Sequence, residues 1–244
     1  MKQTSSIKWS PEISYVVGLL TTDGNLSKDG RHIVMRSSDR DLLQTFIKCL
    51  SIKNKISKSN NDGYAVKPSF RIQFGNVQLY RWLINIGLFP NKTYTLGALK
   101  IPDEYFRDFL RGHLDGDGTI LIYEDRYNNY RGRIYTNQRI YTKFISVSKN
   151  HIIWLHEKIK ELVNIKGSLT NSIPKDKNRV SMWTIKFARK ESVKLLKWIY
   201  YKPSLPCLQR KMILAKRALE IISTQIRKKY TKINPESQTL VLNT

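Results

Sequence analysis

The sequence predicts an α+β protein built from two tandem αββαββα repeats related by a pseudo-twofold axis. Three observations carry that expectation. The segments SPEISYVVGLLTTDGNL (10–26) and IPDEYFRDFLRGHLDGDGTI (101–120) share a proline followed by an acid, an apolar stretch and a G-x-x-x-x-D-G ending. The runs after each segment then match in kind and order. In FRIQF, Phe70, Ile72 and Phe74 alternate with Arg71 and Gln73, the period of a half-buried strand.

Taken in order, Gly18, Leu20, Asp23 and Gly24 of the first segment match Gly112, Leu114, Asp117 and Gly118 of the second. Ser10 is expected to cap the first helix, with Pro11 at its first position and Glu12 near its positive end. Pro102, Asp103 and Glu104 are expected to start the second helix in the same way. Each helix ends in Asp-Gly, where glycine is expected to adopt the left-handed conformation that stops a helix. Gly18 and Thr22, like Gly112 and Gly116, are small residues four apart. They share a helical face and let another helix approach, so the two motif helices are expected to pack together at the centre. IVMRSSDRDLLQTFIKCLSI (33–52) and KFISVSKNHIIWLHEKIKELVNI (143–165) each read as strand, turn and amphipathic helix. SFRIQFGNVQLYRWLINIG (69–87) and SMWTIKFARKESVKLLKWIYYK (181–202) each read as a strand leading into a Trp-bearing helix. Trp82, Trp154 and Trp198 fall on apolar helix faces and are expected in the core. The expected domains are residues 1–100, residues 101–223 and a basic, flexible tail over 224–244.

Charge narrows the function. The chain has 244 residues, 43 Lys plus Arg against 19 Asp plus Glu, and a formal net charge of +24. Self-repulsion on that scale calls for a polyanionic partner. The basic residues are spread along the chain among Tyr, Asn and Gln, rather than gathered on one amphipathic helix, which favours nucleic acid over a membrane surface. No apolar run reaches the ~20 residues of a membrane span. MKQTSSIKWSPE lacks the apolar stretch of a secretory signal, so the expected location is intracellular. Cys49 and Cys207 have no metal-ligand spacing and suit a reducing compartment. His113, His151 and His156 likewise lack ligand spacing and read as structural or surface residues.

Asp23 and Asp117 are harder to explain as structure. Each stands at a helix C-terminus, beside the negative pole of the macrodipole, and the two meet across the predicted axis. The fold gains nothing from that repulsion, whereas divalent cations held between the carboxylates would relieve it. A calcium-loop reading fails on spacing: counted from Asp115, the sixth position is Ile120 and the twelfth is Arg126.

VVGLLTTDG (16–24) and LRGHLDGDG (110–118) resemble the two signature motifs of LAGLIDADG homing endonucleases in their single-chain, two-repeat form. The resemblance implies motif helices at the interface of the halves and two antiparallel four-stranded sheets forming a DNA-binding saddle. It implies that Asp23 and Asp117, at the eighth motif position, bind catalytic Mg²⁺, with Mn²⁺ also active and Ca²⁺ supporting binding without efficient cleavage. The sixth position is Thr21 in one copy and Asp115 in the other, and Asp115 is secondary. The implied reaction is cleavage of both DNA strands, leaving short 3′ overhangs. Lys92, in LFPNKT, and Lys211, in LQRK, are candidate basic assistants. A second set is Arg36 with Ser37 and Ser148 with Lys149.

DNA reading is expected from the strands and their hairpin tips, where Arg suits guanine and Asn or Gln suits adenine. In NLSKDGRHIVMR (25–36) the candidates are Asn25, Ser27, Lys28, Arg31, His32 and Arg36, around a turn at Lys28–Gly30. In IYEDRYNNYRGRIYTNQRIYTK (122–143) they are Arg126, Arg131, Arg133, Asn137, Gln138, Arg139, Tyr141 and Lys143. The outer hairpins add Lys67, Arg71 and Gln73 in one half and Lys175, Lys177, Arg179 and Lys186 in the other. The partner expected is double-stranded DNA with a long asymmetric site, bound by a monomer. An RNA-binding intron maturase and a non-cleaving DNA-binding regulator are the alternatives.

Overall fold

A computed structural model describes residues 7–59, 68–130, 133–174 and 180–233, leaving out the side chains of 126–130, 133–136 and 225–233. The first half runs α1 (Pro11–Thr22), β1 (Gly24–Leu26), β2 (His32–Ser37), α2 (Arg40–Leu50), β3 (Ser57–Ser59), β4 (Ser69–Gly75) and α3 (Val77–Ile86). The second runs α4 (Asp103–Gly116), β5 (Thr119–Tyr130), β6 (Arg133–Ser146), α5 (Lys149–Val163), β7 (Ser168–Ser172), β8 (Met182–Phe187) and α6 (Arg189–Ile199). Both halves are therefore αββαββα, as the repeat predicts, and α7 (Gln209–Ile233) follows the second.

The strands form two four-stranded antiparallel sheets of equivalent order, β1-β2-β4-β3 and β5-β6-β8-β7. Their apolar faces pack under the helices. Ile33, Met35, Ile72 and Phe74 cover one side of the first sheet, and Ile120, Ile140, Phe144, Ile185 and Phe187 one side of the second. A single apolar core runs through both halves, from Tyr15 and Leu19 on α1 to Phe106, Phe109 and Leu114 on α4. Trp82, Trp154 and Trp198 are half-buried against it.

α1 and α4 cross at the glycines. A Cβ on Gly18 would lie 2.7 Å from the His113 backbone nitrogen, and one on Gly112 would lie 3.1 Å from the Gly18 Cα. No side chain larger than hydrogen fits at either place, so the small-residue face is what brings the helices together.

Two local expectations are corrected. Ser10 caps α1 as predicted, its Oγ accepting from Ile13 N at 3.2 Å, but α4 begins after Pro102 without a side-chain cap. Gly24 and Gly118 are not in the left-handed region. Each leads straight into a strand, and a Cβ there would come within 2.5 Å of Leu20 Cα or 2.7 Å of Leu114 Cα. These glycines serve close packing of strand on helix. α7 runs to Ile233, through the first ten residues of the basic tail expected over 224–244. IRKKYTKI contains neither glycine nor proline, so extending an established helix is cheap until Pro235 approaches.

Candidate functional site

The site lies where the C-termini of α1 and α4 meet. Asp23 and Asp117 are the C-cap residues of the two helices, and the carboxylate of Asp23 reaches across the interface: its Oδ2 lies 3.0 Å from where a Cβ on Gly116 would stand. Burial and the facing Asp117 raise Asp23 to about 7, and burial also raises Asp117. Among the described residues no side chain or backbone group donates a hydrogen bond to either carboxylate.

Lys92 and Lys211 come to the same place from the two repeats. Lys92 Nζ donates to the Gly24 carbonyl, and Lys211 Nζ donates to the matching Gly118 carbonyl at 2.8 Å. Lys211 also donates to the carbonyls of Leu114 (2.6 Å), Asp115 (2.8 Å) and Gly116 (3.0 Å). It thus satisfies the orphan carbonyls at the end of α4 and offsets the negative pole there. Both ammoniums are buried, which lowers each to about 8 against the opposing pull of Asp23 and Asp117. Two carboxylates and two ammoniums therefore form one electrostatic cluster, arranged symmetrically across the repeat axis.

Asp115 is not part of the exposed rim. It is buried, accepting from Tyr15 Oη at 2.8 Å and from Leu208 N at 2.7 Å, and burial raises it to about 6. It ties α1, α4 and the segment before α7 together. Thr21, its counterpart, bonds within its own helix to Val17 O at 2.7 Å.

Beside Asp117 a cavity of about 230 Å³ is lined by Thr21, Thr22, Lys92, His113 and His151, among others. His113 and His151 are buried with their Nε2 atoms 3.2 Å apart, and His151 Nδ1 faces Gly97 O at 3.0 Å. Burial holds both well on the neutral side. The matching residues of the first repeat are Leu19 and Leu42, so the pair occupies core positions. His156 is at the surface, with Nε2 2.6 Å from Lys166 O.

The second catalytic set does not assemble as predicted. Ser148 turns inward and donates to Leu96 O at 2.5 Å, while Lys149 is exposed beside the Trp183 ring. Ser37 accepts from Asp39 N at 3.0 Å, as Ser146 accepts from Ser148 N at 3.1 Å, so the true partner of Ser37 is Ser146.

On the first sheet, Asn25, His32, Arg36, Arg71 and Gln73 share the face away from the core. His32 is held by Asp29, which also accepts from the backbone of Arg31 and His32. Lys28 and Arg31 are exposed at the turn, where Gly30 takes φ +78°, whereas Ser27 is half-buried under Tyr80 Oη. On the second sheet Asn137, Arg139, Tyr141, Lys143 and Lys186 share the outward face. Gln138 does not. It alternates with them and falls on the side of Ile140, a consequence of the two-residue strand period. Arg126 and Arg133 are on strands, with side chains outside the described residues. Lys67, Arg131, Lys175, Lys177 and Arg179 lie outside the described residues altogether.

Arg36 stands directly opposite Arg71, and Lys143 directly opposite Lys186. Facing like charges destabilise a sheet, so both sheets carry this cost on the same outward surface. Sequence reasoning missed the buried Arg111, which donates to Asp108 at 2.7 Å, Pro206 O at 2.7 Å and Ile199 O at 3.2 Å. Only the tertiary fold brings those acceptors together. It also missed the Tyr15–Asp115 bond between the repeats and the ion pair of Arg139 with Asp125. Among the described residues no helix is long and apolar enough to cross a membrane.

No family model and no curated protein matches the sequence. Solved structures do. The meganuclease I-SmaMI bound to uncleaveable DNA matches with TM-score 0.60 and 11% identity over 90% of this chain and 92% of its own. I-AabMI bound to uncleaved DNA matches with TM-score 0.58 and 13% identity over 89% and 92%. Full-length DUF199/WhiA from Thermatoga maritima matches with TM-score 0.52 and 15% identity over 96% of this chain and 69% of its own. With its two αββαββα halves joined at α1 and α4, the chain has the single-chain, two-repeat LAGLIDADG fold.

Proposed function

We propose that the protein is a site-specific double-strand DNA endonuclease of the homing type, encoded within a mobile intron. The observation that carries this is the Asp23–Asp117 pair: two carboxylates, Asp23 half-buried and Asp117 exposed, brought together at the helix junction without hydrogen-bond donors among the described residues. Hard anionic oxygens in that condition fit divalent cations, Mg²⁺ first. Among the described residues no third His, Cys, Asp or Glu joins them, which leaves coordination positions for water and phosphate oxygens. Bound there, such ions would supply Lewis-acid stabilisation of the phosphate and a more acidic water.

The chain's own residues do the rest. Asp23 and Asp117 hold one anionic site per repeat, which suits one cut per strand. Lys92 and Lys211 fix the carbonyls behind the carboxylates and bring positive charge toward an incoming phosphate. The outward faces of both sheets, with Arg36, Arg71, Lys143 and Lys186, fit a phosphate backbone, and Asn25, Gln73 and Asn137 fit base edges. The DNA-bound neighbours of the same fold support this reading.

The test is incubation with Mg²⁺ and a randomised duplex library, followed by sequencing of cut ends. Cleavage at one long asymmetric site with short 3′ overhangs is expected. Mn²⁺ should also support it, and Ca²⁺ should support binding alone. Asp23→Asn or Asp117→Asn should lower double-strand cleavage by at least about 100-fold, the scale of losing a principal electrostatic contributor, while binding in Ca²⁺ persists. Full cleavage by either variant overturns the assignment. Sequence-specific binding without cleavage by the unaltered protein would mark a regulator, and preference for intron RNA a maturase.

A further inference from the structure

The β5–β6 hairpin outruns its counterpart. In the first repeat the β1–β2 ladder ends at Leu26↔Ile33, before the turn at Lys28–Gly30. The matching pair in the second repeat is Ile120↔Thr142. There the ladder continues through Leu121↔Tyr141 and Tyr123↔Arg139 as far as Tyr130↔Arg133.

On the outward face of that extension Arg139 meets Asp125. The Arg139 Nε donates to Asp125 Oδ2 at 2.7 Å, and Nη2 lies 2.6 Å from the same oxygen. The acid is covered, 12% exposed, whereas the guanidinium is 44% exposed. With Nε and one Nη2 proton committed to a single oxygen, the remaining Nη1 and Nη2 protons at the end of the planar fork have no partner among the described residues. Two parallel donors at that spacing are the complement of guanine O6 and N7 in the major groove.

Aromatic and basic side chains share that face with the pair. Tyr123 stands directly across from Arg139, its ring 6.1 Å from that of Tyr141, and Lys186 Nζ is 5.4 Å from the Tyr141 ring. Just beyond Asp125 the ladder register shifts, with one extra residue in β5 before Asn128↔Tyr135. A bulge there bends and twists the arm, as following a groove requires.

We propose that Arg139, held in place by Asp125, is a guanine-reading side chain, and that its base lies in the half-site bound by the second repeat. The first repeat has no equivalent, because its hairpin turns back before that level. Three residues of ladder span roughly 10 Å, so the reading position is about three base pairs farther from the centre than the last pair of the β1–β2 ladder. Arg139 makes the base contact and Asp125 is a positioning residue. This inference rests on the DNA-reading function proposed above.

The experiment is selection of bound duplexes from a randomised library in Ca²⁺, using the full chain and the variants R139A, R139Q and D125N, each checked for folding by thermal melting. The unaltered protein should require guanine at one position of one half-site. R139A should flatten the preference at that position alone by about 5- to 150-fold. R139Q should shift it toward adenine. D125N should weaken the same guanine preference, which a merely structural role would not do. Selection of a defined site in which R139A and D125N leave every base preference intact, or weaken all sequences equally, overturns the guanine assignment and leaves the DNA-reading function standing. If the unaltered protein selects no duplex, the DNA-reading function fails and this inference with it.

Discussion

Asp23 carries its charge at a higher cost than an ordinary surface aspartate, because burial and Asp117 both oppose ionisation. Its carboxyl is raised from 3.8 in the unfolded reference to about 7 in the folded chain. Between those values the folded state binds more protons than the unfolded one. The stabilising contribution of the protonated form is therefore complete below about pH 4 and lost as pH rises through about 7. In chelator, the urea midpoint of the unaltered chain should fall over that window relative to Asp23→Asn, whose difference curve isolates this carboxyl. Added Mg²⁺ should raise the melting temperature more at pH 8 than at pH 5, since the ionised pair is the form a cation binds. A difference curve flat from pH 4 to 8 would remove the repelling pair from the account. The pairing of Asp23 with Asp117 was legible in the sequence, because identical placement in two repeats is hard to explain by turns. The four-carbonyl grip of Lys211 was not. Sequence spacing brought Lys92 and Lys211 into the candidate set, but only the fold shows that each holds the glycine carbonyl after its own motif.

The α1–α4 contact is the element on which the site depends. It holds the two helix ends at the separation the carboxylates require, and its closeness comes from Gly18 and Gly112. In Gly18→Ala or Gly112→Ala the new methyl meets backbone atoms, which cannot rotate away, so the helices must separate. Each substitution should cost about 1–3 kcal/mol in urea unfolding, the range for overpacking a close-packed interior. Double-strand cleavage should fall with it as the carboxylates part. Unchanged stability in both variants would contradict the observed crossing. The crossing was legible because small residues recur at the same places in both repeats. The caps were less so: Ser10 has a side-chain acceptor and behaves as its type predicts, while Pro102 has none. Gly24 and Gly118 misled, since a glycine after a helix can serve either a left-handed turn or a tight strand–helix contact. The sequence is the same in both cases.

At the scale of the molecule, the formal +24 charge becomes two basic sheet faces. Arg36↔Arg71 and Lys143↔Lys186 show the protein tolerating repulsion where a phosphate backbone would relieve it. Binding to the preferred duplex should accordingly weaken by roughly 10³–10⁵ between 50 and 200 mM salt if about six to ten phosphates are contacted. Titration by fluorescence anisotropy across that range checks the number, and a shallow dependence would mean that the basic faces do not touch the backbone. What the sequence alone determined was the repeat, the order of its elements, the two helix-end aspartates and a strongly basic charge balance. These are local or periodic properties, set by side-chain type and spacing along the chain. Only the tertiary structure decided the inward turn of Ser148, the face on which Gln138 falls, the burial of Asp115 against Tyr15 and the hold of Asp125 on Arg139. Those depend on strand register and on contacts between residues far apart in sequence, and spacing along a chain does not encode which distant partner a side chain will meet.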